Sequence, residues 1–374
     1  MTAHVSQADV DHLERARQLA RRGWGRVHPN PMVGCVLVRD GRVVAEGYHR
    51  EFGGPHAEVV ALESARSLAR GATAYVSLEP CNHEGKTPPC AQALVAAGVR
   101  RVVYGVADPG VESSGGADTL RRAGVEVTGP VWSPLEGRAE NPAFFHAAHG
   151  ESPWVALKLA LTLDGCVAAA PGVRTRITGQ EAEREVHRLR SGFDAVMVGA
   201  GTARIDDPRL TVRLAPAGRV VPRRIVLDSE GSLPSTAALL EEAAQIPVHV
   251  FTRKGAPEEH VARLEGAGAH VHAVPVSAGG GGGLDLGAVL AACREMGVGS
   301  ILCEGGPRLA ASLLGEGRAH RLYLFLAPFT LGASGVRAFP PDADAFDWRS
   351  FLPVLAPVLH GRDTLIVLDR GETP

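Results

Sequence analysis

The spacing of apolar residues in the first 150 positions predicts alternating helices and strands. Leu13, Ala16 and Ala20 recur at helical spacing and give an opening helix one apolar face. The apolar run at 33–38 ends at the turn dipeptide Asp40–Gly41, which predicts a β-hairpin. Further strands are expected at 74–78, 102–104 and 125–127, and helices at 56–69, 91–97, 119–123 and 136–149. This order predicts an α/β sheet with helices on both faces.

The second half of the chain repeats this alternation after the polar segment 150–153. Strands are expected at 154–160, 195–198, 225–227, 248–251, 271–274, 301–303, 322–327 and 365–368, the last two antiparallel at one edge. Five successive glycines at 279–283 favour a flexible surface loop over a phosphate-binding loop. The pattern divides the chain into two α/β domains, 1–150 and 151–374.

Composition narrows the class of protein further. The 374 residues are 45% hydrophobic with a net charge of −2, which argues against disorder and against a nucleic-acid partner. There is no run of about 18 or more apolar residues, so no membrane-spanning helix is expected. Residues 1–22 lack the apolar centre of a secretory signal, which makes the cytoplasm the expected location. Six cysteines in a chain of this length do not suggest a disulfide framework.

A histidine, a glutamate and two cysteines form the pattern that is most informative about chemistry. His56 and Glu58 open a predicted helix, while Cys81 follows a predicted strand. Cys90 stands at the start of the next predicted helix. One imidazole and two thiolates suit a catalytic Zn²⁺, which keeps a fourth position for a water of lowered pKa. Glu58 would relay protons to a ring nitrogen and to departing ammonia, as in zinc nucleobase deaminases.

Two other interpretations of these residues stay open. Eight residues separate Cys81 from Cys90, whereas the nucleobase deaminase pattern has two. The three ligands could form a purely structural zinc site, or they could be unrelated side chains without a metal. Glu58 favours catalysis, because a structural zinc site has no use for a carboxylate at that position.

The segments around these residues resemble the deaminase half of bifunctional riboflavin-biosynthesis enzymes. The matching segments are 28–34, 47–49, 55–58 and 78–90. The long insertion that ends at Cys90 separates this family from cytidine, guanine and tRNA-adenosine deaminases. The resemblance implies a cytidine-deaminase-like three-layer α/β/α fold. It also implies a substrate pocket lined by Asn30, His49, His83 and Lys86.

The remainder of the chain is similar to the reductase half of the same enzymes. The matching segments are 157–165, 198–213 and 304–307. The resemblance implies a dihydrofolate-reductase-like α/β fold that uses NADPH. The residues implied near NADPH are Ala160, Arg176, Thr202, Asp206, Ser229, Gly305, Gly306, Pro307, Arg308 and Leu309. The residues implied near the substrate are Arg174, Arg190, Leu210, Arg213 and Glu304.

The residue types support part of this second resemblance. Pro307 stands at the start of a predicted helix whose first turn can receive a phosphate. Arg190 and Arg213 suit phosphate oxygens, although ordinary surface ion pairs would explain them equally well. Family members carry a tryptophan and a basic residue where this chain has Arg176 and Cys166. A weakened cofactor site is therefore one possible outcome.

These observations lead to one main hypothesis and two alternatives. The main hypothesis is a bifunctional enzyme with one Zn²⁺ per chain. It would deaminate 2,5-diamino-6-ribosylamino-4(3H)-pyrimidinone 5′-phosphate and then reduce 5-amino-6-(5-phosphoribosylamino)uracil with NADPH. The first alternative is a deaminase with a degenerate reductase-like domain, and the second is a non-catalytic scaffold stabilised by zinc. We expect a small-molecule substrate, no nucleic-acid or membrane partner, and a homo-oligomer.

Overall fold

A computed structural model describes residues 5–84, 88–278, 282–339 and 348–371. The chain forms two compact units, Met1–His149 and Gly150–Pro374. Each unit has its own sheet and its own hydrophobic core. Residues 279–281 of the predicted glycine loop lie outside the described part of the chain. Among the residues described, no helix is both long and apolar enough to cross a bilayer.

The first unit consists of one sheet and short helices. Over its described residues the strands are β1 (Gly34–Arg39), β2 (Arg42–Tyr48), β3 (Thr73–Leu78), β4 (Arg101–Val106) and β5 (Glu126–Thr128). The helices are α1 (Gln7–Ala20), α2 (Ala57–Ala65), α3 (Cys90–Ala96), α4 (Gly116–Arg122), α5 (Pro134–Arg138) and α6 (Pro142–Ala147). The strand order is β2-β1-β3-β4-β5, with β1 antiparallel to both of its neighbours and β3 to β5 parallel.

Helices cover both faces of this sheet, because the side chains of each strand alternate between two apolar cores. Val36 of β1 packs with Leu13 and Tyr75 on the face that α1 covers. Leu37, the next residue of β1, packs with Leu94 of α3 on the opposite face, together with residues of α2 and α4. The predicted three-layer α/β/α arrangement is confirmed.

Two of the predicted helices are shorter than the sequence pattern suggests. The helix expected at 136–149 is wrong as a single element, because α5 ends at Arg138 and α6 begins at Pro142. Proline has no N–H to continue a helix but is well tolerated in a first turn. The Asn141 side chain at this break accepts from Met32 N at 2.7 Å and donates to Met32 O at 2.9 Å. The helix expected at 56–69 is α-helical at Ala57–Ala65 and continues as a 3₁₀ turn.

The second unit contains a larger sheet. Over the described residues its strands are β6 (Trp154–Thr162), β7 (Cys166–Ala168), β8 (Ala195–Gly199), β9 (Arg223–Leu227), β10 (Val248–Arg253), β11 (His270–Val274), β12 (Ser300–Cys303), β13 (Arg321–Ala327), β14 (Val336–Arg337), β15 (Phe351–Pro353), β16 (Val358–His360) and β17 (Asp363–Arg370). The helices are α7 (Gln180–Arg190), α8 (Ala200–Asp206), α9 (Glu258–Gly266), α10 (Leu286–Glu295) and α11 (Pro307–Gly315).

The main sheet of this unit is parallel over most of its width. Its order is β11-β10-β9-β8-β12-β6-β13-β17-β15, while β16 pairs with β17 and β7 pairs separately with β14. The strands from β11 to β13 are all parallel, and β17 runs antiparallel to β13. Of the two late strands expected to be antiparallel, only β17 is so, because β13 joins the parallel part beside β6. Both sheet faces are apolar: Met197 and Ile225 lie in one core, Val196 and Val226 in the other.

Candidate functional site

Three metal-ligating side chains meet at one end of the sheet in the first unit. His56 is the N-cap residue of α2, Cys81 follows β3, and Cys90 is the first residue of α3. The His56 Nδ1 atom lies 3.3 Å from Cys90 Sγ and 3.5 Å from Cys81 Sγ. Parallel strands bring their carboxyl ends, and the helix starts that follow them, to the same edge of a sheet. The structure therefore brings the three predicted ligands together.

These residues form a donor set suited to zinc. Their ligand atoms lie within 4.8 Å of one another, a spacing that one ion with bonds of about 2.0–2.3 Å can bridge. Among the described residues, no other group of three His, Cys, Asp or Glu side chains is this close. A hydrogen bond from the Cys90 thiol lowers the pKa of Cys81, and the bond to Cys81 raises the pKa of His56. The sulfur of Cys81 is thus readily available as a thiolate.

Glu58 lies in the first turn of α2, next to the ligands. Its side chain is 3% exposed, and burial raises its pKa to about 7, with a further contribution from the charge on Cys81. Its carboxylate also interacts with the side chain of Cys90. A carboxyl group with a pKa close to neutrality can both accept and return a proton, which is the property required of a general acid–base catalyst.

Two of the predicted pocket residues lie beside the metal ligands. The Asn30 Nδ2 atom is 3.4 Å from His49 Nε2, and the His49 ring meets the His56 ring edge-on at 5.3 Å between centroids. His49 is buried with Nδ1 3.0 Å from Pro55 O, and burial lowers its pKa. His83 is exposed two residues beyond Cys81. Lys86 lies outside the described residues, so its predicted role stays a prediction.

A cleft of about 1980 Å³ opens at the carboxyl ends of the parallel strands in the second unit. It is lined by every residue that the resemblance of the second half implies near cofactor or substrate. Those near the cofactor are Ala160, Arg176, Thr202, Asp206, Ser229, Gly305, Gly306, Pro307, Arg308 and Leu309. Those near the substrate are Arg174, Arg190, Leu210, Arg213 and Glu304. The structure thus brings together residues spread over about 150 positions of the sequence.

The start of α11 gives this cleft an anion-binding wall. Gly306 is the N-cap residue of α11 and Pro307 is its first residue, so the free N–H groups of the first turn lie at the cleft. A Cβ on Gly306 would lie 2.8 Å from Thr202 Oγ1, so a larger residue there would displace either the Thr202 hydroxyl or the helix start. Helix starts of this kind favour phosphate groups, which dinucleotide cofactors supply.

Both halves of the chain match known families. The family described as "Cytidine and deoxycytidylate deaminase zinc-binding region" matches residues 6–106, and "RibD C-terminal domain" matches residues 153–349. The riboflavin biosynthesis protein RibD of Aquifex aeolicus is 40% identical over 329 residues, which cover 88% of this chain and 89% of that protein. The chain belongs to the RibD family.

Two further RibD relatives agree over the length of both chains. RibD of Escherichia coli strain K12 is 37% identical over 362 residues, covering 91% of this chain and 95% of that protein. A crystal structure from Thermotoga maritima, described as a diaminohydroxyphosphoribosylaminopyrimidine deaminase/5-amino-6-(5-phosphoribosylamino)uracil reductase, covers 98% of this chain and 100% of its own. Its sequence identity is 34% and the TM-score is 0.77. The cytidine-deaminase-like and RibD reductase folds of the two halves are thereby confirmed.

The guanidinium of Arg190 is hydrogen-bonded to other protein atoms, unlike that of an arginine that is free to bind a phosphate. Its Nε and Nη2 atoms donate to the two Glu304 oxygens at 2.5 and 2.9 Å, and Nη1 donates to Thr211 O at 2.9 Å. Both side chains of the ion pair are about nine-tenths buried. The planar edge of Arg190 is therefore occupied by protein atoms, and the pair fixes the Glu304 carboxylate at the cleft.

The other arginines of the cleft differ in their partners. Arg213 is exposed, and its Nη1 donates only to a neutral oxygen, Thr211 Oγ1, at 2.6 Å. Burial and then the charges of Arg190 and Arg209 lower its pKa, which identifies this corner as electropositive. Arg176 forms an exposed ion pair at 2.7 Å with Glu183 of α7. An arginine–carboxylate pair therefore stands where the resemblance implies a stacking tryptophan.

Lys158 is a cleft residue to which the sequence analysis assigns no role. It lies on β6 and lines the cleft. Burial lowers its pKa, which the nearby Glu304 carboxylate partly offsets. The sequence contains a sign of this role, because a lysine interrupts an otherwise apolar run at 154–161. In the structure this run forms a strand inside the sheet. Charged residues at such positions are rare unless they are paired or functional.

Proposed function

We propose that this RibD-family chain catalyses two successive steps of riboflavin biosynthesis. The first unit hydrolyses the 2-amino group of 2,5-diamino-6-ribosylamino-4(3H)-pyrimidinone 5′-phosphate. The second unit reduces 5-amino-6-(5-phosphoribosylamino)uracil to its ribityl product with NADPH. The observation that carries the proposal is the buried Glu58 beside the cluster of His56, Cys81 and Cys90. The likeness to the Thermotoga maritima enzyme supports the choice of substrates.

In the deamination, His56, Cys81 and Cys90 would hold the zinc ion. Zinc supplies a water molecule of lowered pKa, so that hydroxide is available at neutral pH. Glu58 would take one proton from the attacking water and deliver it to the ring nitrogen. It would then move the second proton of that water to the departing amine, so that a ring carbonyl forms as ammonia leaves. The C–O bond forms at the ring carbon, the C–N bond breaks, and ammonia leaves. A pKa of about 7 allows Glu58 to serve in both directions.

We assign substrate recognition in this unit to four residues, by position and chemistry. Asn30 and His49 lie beside the metal ligands, where an amide and a neutral imidazole can read the edge of a pyrimidine. His49 is neutral because burial lowers its pKa, so its ring keeps one donor and one acceptor. His83 and Lys86 belong to the segment between the cysteines, from which two basic side chains can meet the ribose phosphate.

In the reduction, NADPH supplies a hydride to the C1′ carbon of the ribosyl group. The first turn of α11, from Pro307 onward, would hold cofactor phosphates with its free N–H groups. Opening the ribose ring also requires a proton for the ring oxygen. Lys158, an ammonium of lowered pKa beside Glu304, is placed to provide that proton. Arg213 is the arginine best placed for the substrate phosphate, since it has no carboxylate partner among the described residues.

A coupled assay with the purified chain tests both reactions. We expect the diaminopyrimidine substrate to release ammonia, and NADPH absorbance to fall only after deaminated product has formed. Ammonia release without NADPH binding or oxidation would instead support the deaminase-only alternative, for which Arg176 in place of the stacking tryptophan is the relevant observation. Absence of both activities would support the second alternative, a non-catalytic scaffold stabilised by zinc.

The proposal also includes cytoplasmic location and assembly into a homo-oligomer. The location is inferred from the composition of the chain, and the assembly from the predominance of symmetric homo-oligomers among soluble oligomeric proteins. Analytical ultracentrifugation of the purified chain would measure the assembly state directly. A sedimentation coefficient of a monomer at micromolar concentration would contradict the oligomer.

A further inference from the structure

Three histidines lie on one face of the second sheet, at its β11 edge. β10 and β11 pair in parallel, with His249 opposite His270 and Phe251 opposite His272. Side chains two residues apart on a strand share a face, so His249, His270 and His272 project to the same side. Within the described residues, β11 is the outermost strand on this side of the sheet. Neither the deamination nor the reduction uses these residues.

Two of the three imidazole rings are close enough to bind one ion together, and the third ring stacks on one of them with its nitrogens farther from the pair. The His249 Nδ1 atom lies 3.0 Å from His272 Nε2, and the two ring centroids are 5.2 Å apart. The His270 ring stacks on His249 at 5.1 Å. Two nitrogens bound to one zinc ion at about 2.0 Å with tetrahedral angles lie roughly 3.3 Å apart. The observed pair is therefore already near the separation that a shared metal ion requires.

Two of these imidazoles, His249 and His272, are in the neutral state that binds metals. His249 is 8% exposed, and its Nε2 atom has no hydrogen-bond partner among the described residues. Burial, followed by the charges of His272, His270 and Arg223, lowers the pKa of His249 to about 4. Burial also lowers the pKa of His272. Neutral imidazole is the metal-ligating form, so the lone pairs are available at neutral pH.

We propose that His249, His270 and His272 form a second metal site, for a divalent transition ion of the Zn²⁺, Ni²⁺ and Cu²⁺ class. His249 and His272 supply the two nitrogens that already face each other. His270, exposed on the edge strand two residues before His272, is the third ligand and turns its ring onto the ion. Imidazole ligands select these ions over Mg²⁺ and Ca²⁺, which prefer oxygen. Arg223, the nearby cation, is held by a 2.6 Å bond to Met296 O.

Metal stoichiometry of the untagged full-length chain tests this site. After equilibration with Zn²⁺ and dialysis, we expect about two ions per chain, one in each tri-ligand site. His249→Gln and His272→Gln should each leave about one, while His260→Gln, a histidine of α9 in the same unit, should keep about two. A wild-type chain that holds one ion, or a second ion that survives both substitutions, would overturn the proposal.

Cobalt spectroscopy distinguishes the two sites within the same protein. Co²⁺ bound by Cys81 and Cys90 gives an intense thiolate charge-transfer band, whereas a site of imidazoles gives none. We expect one equivalent of Co²⁺ to develop that band and another to bind without adding to it. A second equivalent that intensifies the thiolate band, or that does not bind, would contradict the histidine site.

His270→Gln provides a test that does not depend on a buried residue. Because His270 is exposed, its replacement should leave folding and ammonia release unchanged. We expect it to weaken Ni²⁺ or Zn²⁺ binding at the second site by at least roughly 10–100-fold. Loss of a hydrogen bond that only supports a metal ligand already has an effect of that size, and loss of the ligand itself should cost no less. Unchanged affinity in an isothermal titration would overturn the assignment of His270 as the third ligand.

Discussion

At the scale of single residues, chemistry in both units depends on ionisable groups held away from water. Glu58 is buried beside two thiols, and its pKa is raised to about 7. Lys158 is half-buried on a central strand at the cleft, and desolvation lowers its pKa. Burial shifts each group toward its neutral form, because a charge loses the solvation that water provides. Each side chain is thereby moved toward a pKa at which it can exchange a proton under physiological conditions.

Replacing Glu58 with glutamine separates metal binding from catalysis. Glu58→Gln keeps the size of the side chain but cannot carry a proton, so ammonia release should fall by about 10²–10⁴-fold. The three ligands are untouched, and zinc content measured by elemental analysis should stay at about one ion at the cysteine site. His56→Ala is the matched comparison and should lose that ion. Near-normal ammonia release by Glu58→Gln would remove the proton-relay role.

Lys158→Met should abolish reduction while it leaves NADPH binding largely intact. Methionine fills a similar volume but has no proton to give, so the single-turnover rate of NADPH oxidation should fall by about 10²-fold or more. The pKa of Lys158 is lowered, so the protonated form is lost at a lower pH than for an ordinary lysine. The alkaline limb of the wild-type reduction profile should shift down accordingly. A variant that reduces substrate normally would show that Lys158 serves packing.

At the scale of secondary-structure elements, the start of α11 determines how the cleft can hold an anion. Gly306 approaches Thr202 of α8 so closely that a Cβ would lie 2.8 Å from Thr202 Oγ1. The first turn of α11 and Thr202 both line the cleft at this close approach. A larger residue at position 306 would push the helix start away from the cofactor.

Gly306→Ala should therefore raise the KM for NADPH more than it lowers kcat. The displaced N–H groups bind cofactor phosphate in the ground state as well as in the transition state, so binding is lost before chemistry is. Gly266→Ala at the end of α9, where an added Cβ meets nothing within 4 Å, is the control. Steady-state kinetics at varied NADPH concentrations would measure the changes in KM and in kcat separately. Equal KM values for the two variants would argue against phosphate binding at this helix start.

The Arg190–Glu304 pair ties the end of α7 to the end of β12. Because both side chains are buried, breaking the pair leaves an uncompensated charge, at a cost of about 3–5 kcal/mol. Arg190→Met and Glu304→Leu should each destabilise the second unit by this order in denaturant unfolding. The loss of unfolding free energy in the double variant should be clearly smaller than the sum of the losses in the two single variants. Strict additivity would show that the two groups do not interact.

At the scale of the whole molecule, each reaction is contained in one compact unit. The zinc ligands and Glu58 lie in Met1–His149, and the cleft lies in Gly150–Pro374. The two activities should therefore respond to mutation independently.

Asp206→Asn in the full-length chain should abolish reduction and leave ammonia release within about twofold of wild type, as expected for distant, independent sites. Asp206 lies on α8 at the cleft of the second unit, whereas His56 and its partners belong to the first unit. A fragment of residues 152–374 should bind NADPH and reduce deaminated substrate in the presence of a zinc chelator. Loss of both activities in Asp206→Asn would indicate that the units depend on each other.

The sequence by itself determined much of this protein, because the decisive signals are local. Apolar periodicity predicted the order of helices and strands, since burial of one face leaves its spacing in the chain. His56 and Glu58 are two residues apart, and Cys81 and Cys90 stand at the end of a strand and the start of a helix. The motifs of the second half likewise predicted which residues line its cleft.

The tertiary structure decided what depends on partners distant in sequence. Whether Arg190 binds a phosphate or a carboxylate depends on Glu304, 114 positions away. The histidine cluster exists only because the parallel register of β10 and β11 sets His249 opposite His270, and a shift by one residue would move one strand's histidines to the other face. Hydrophobic periodicity specifies which face of an element is buried, but the partner on that face is set by packing between elements.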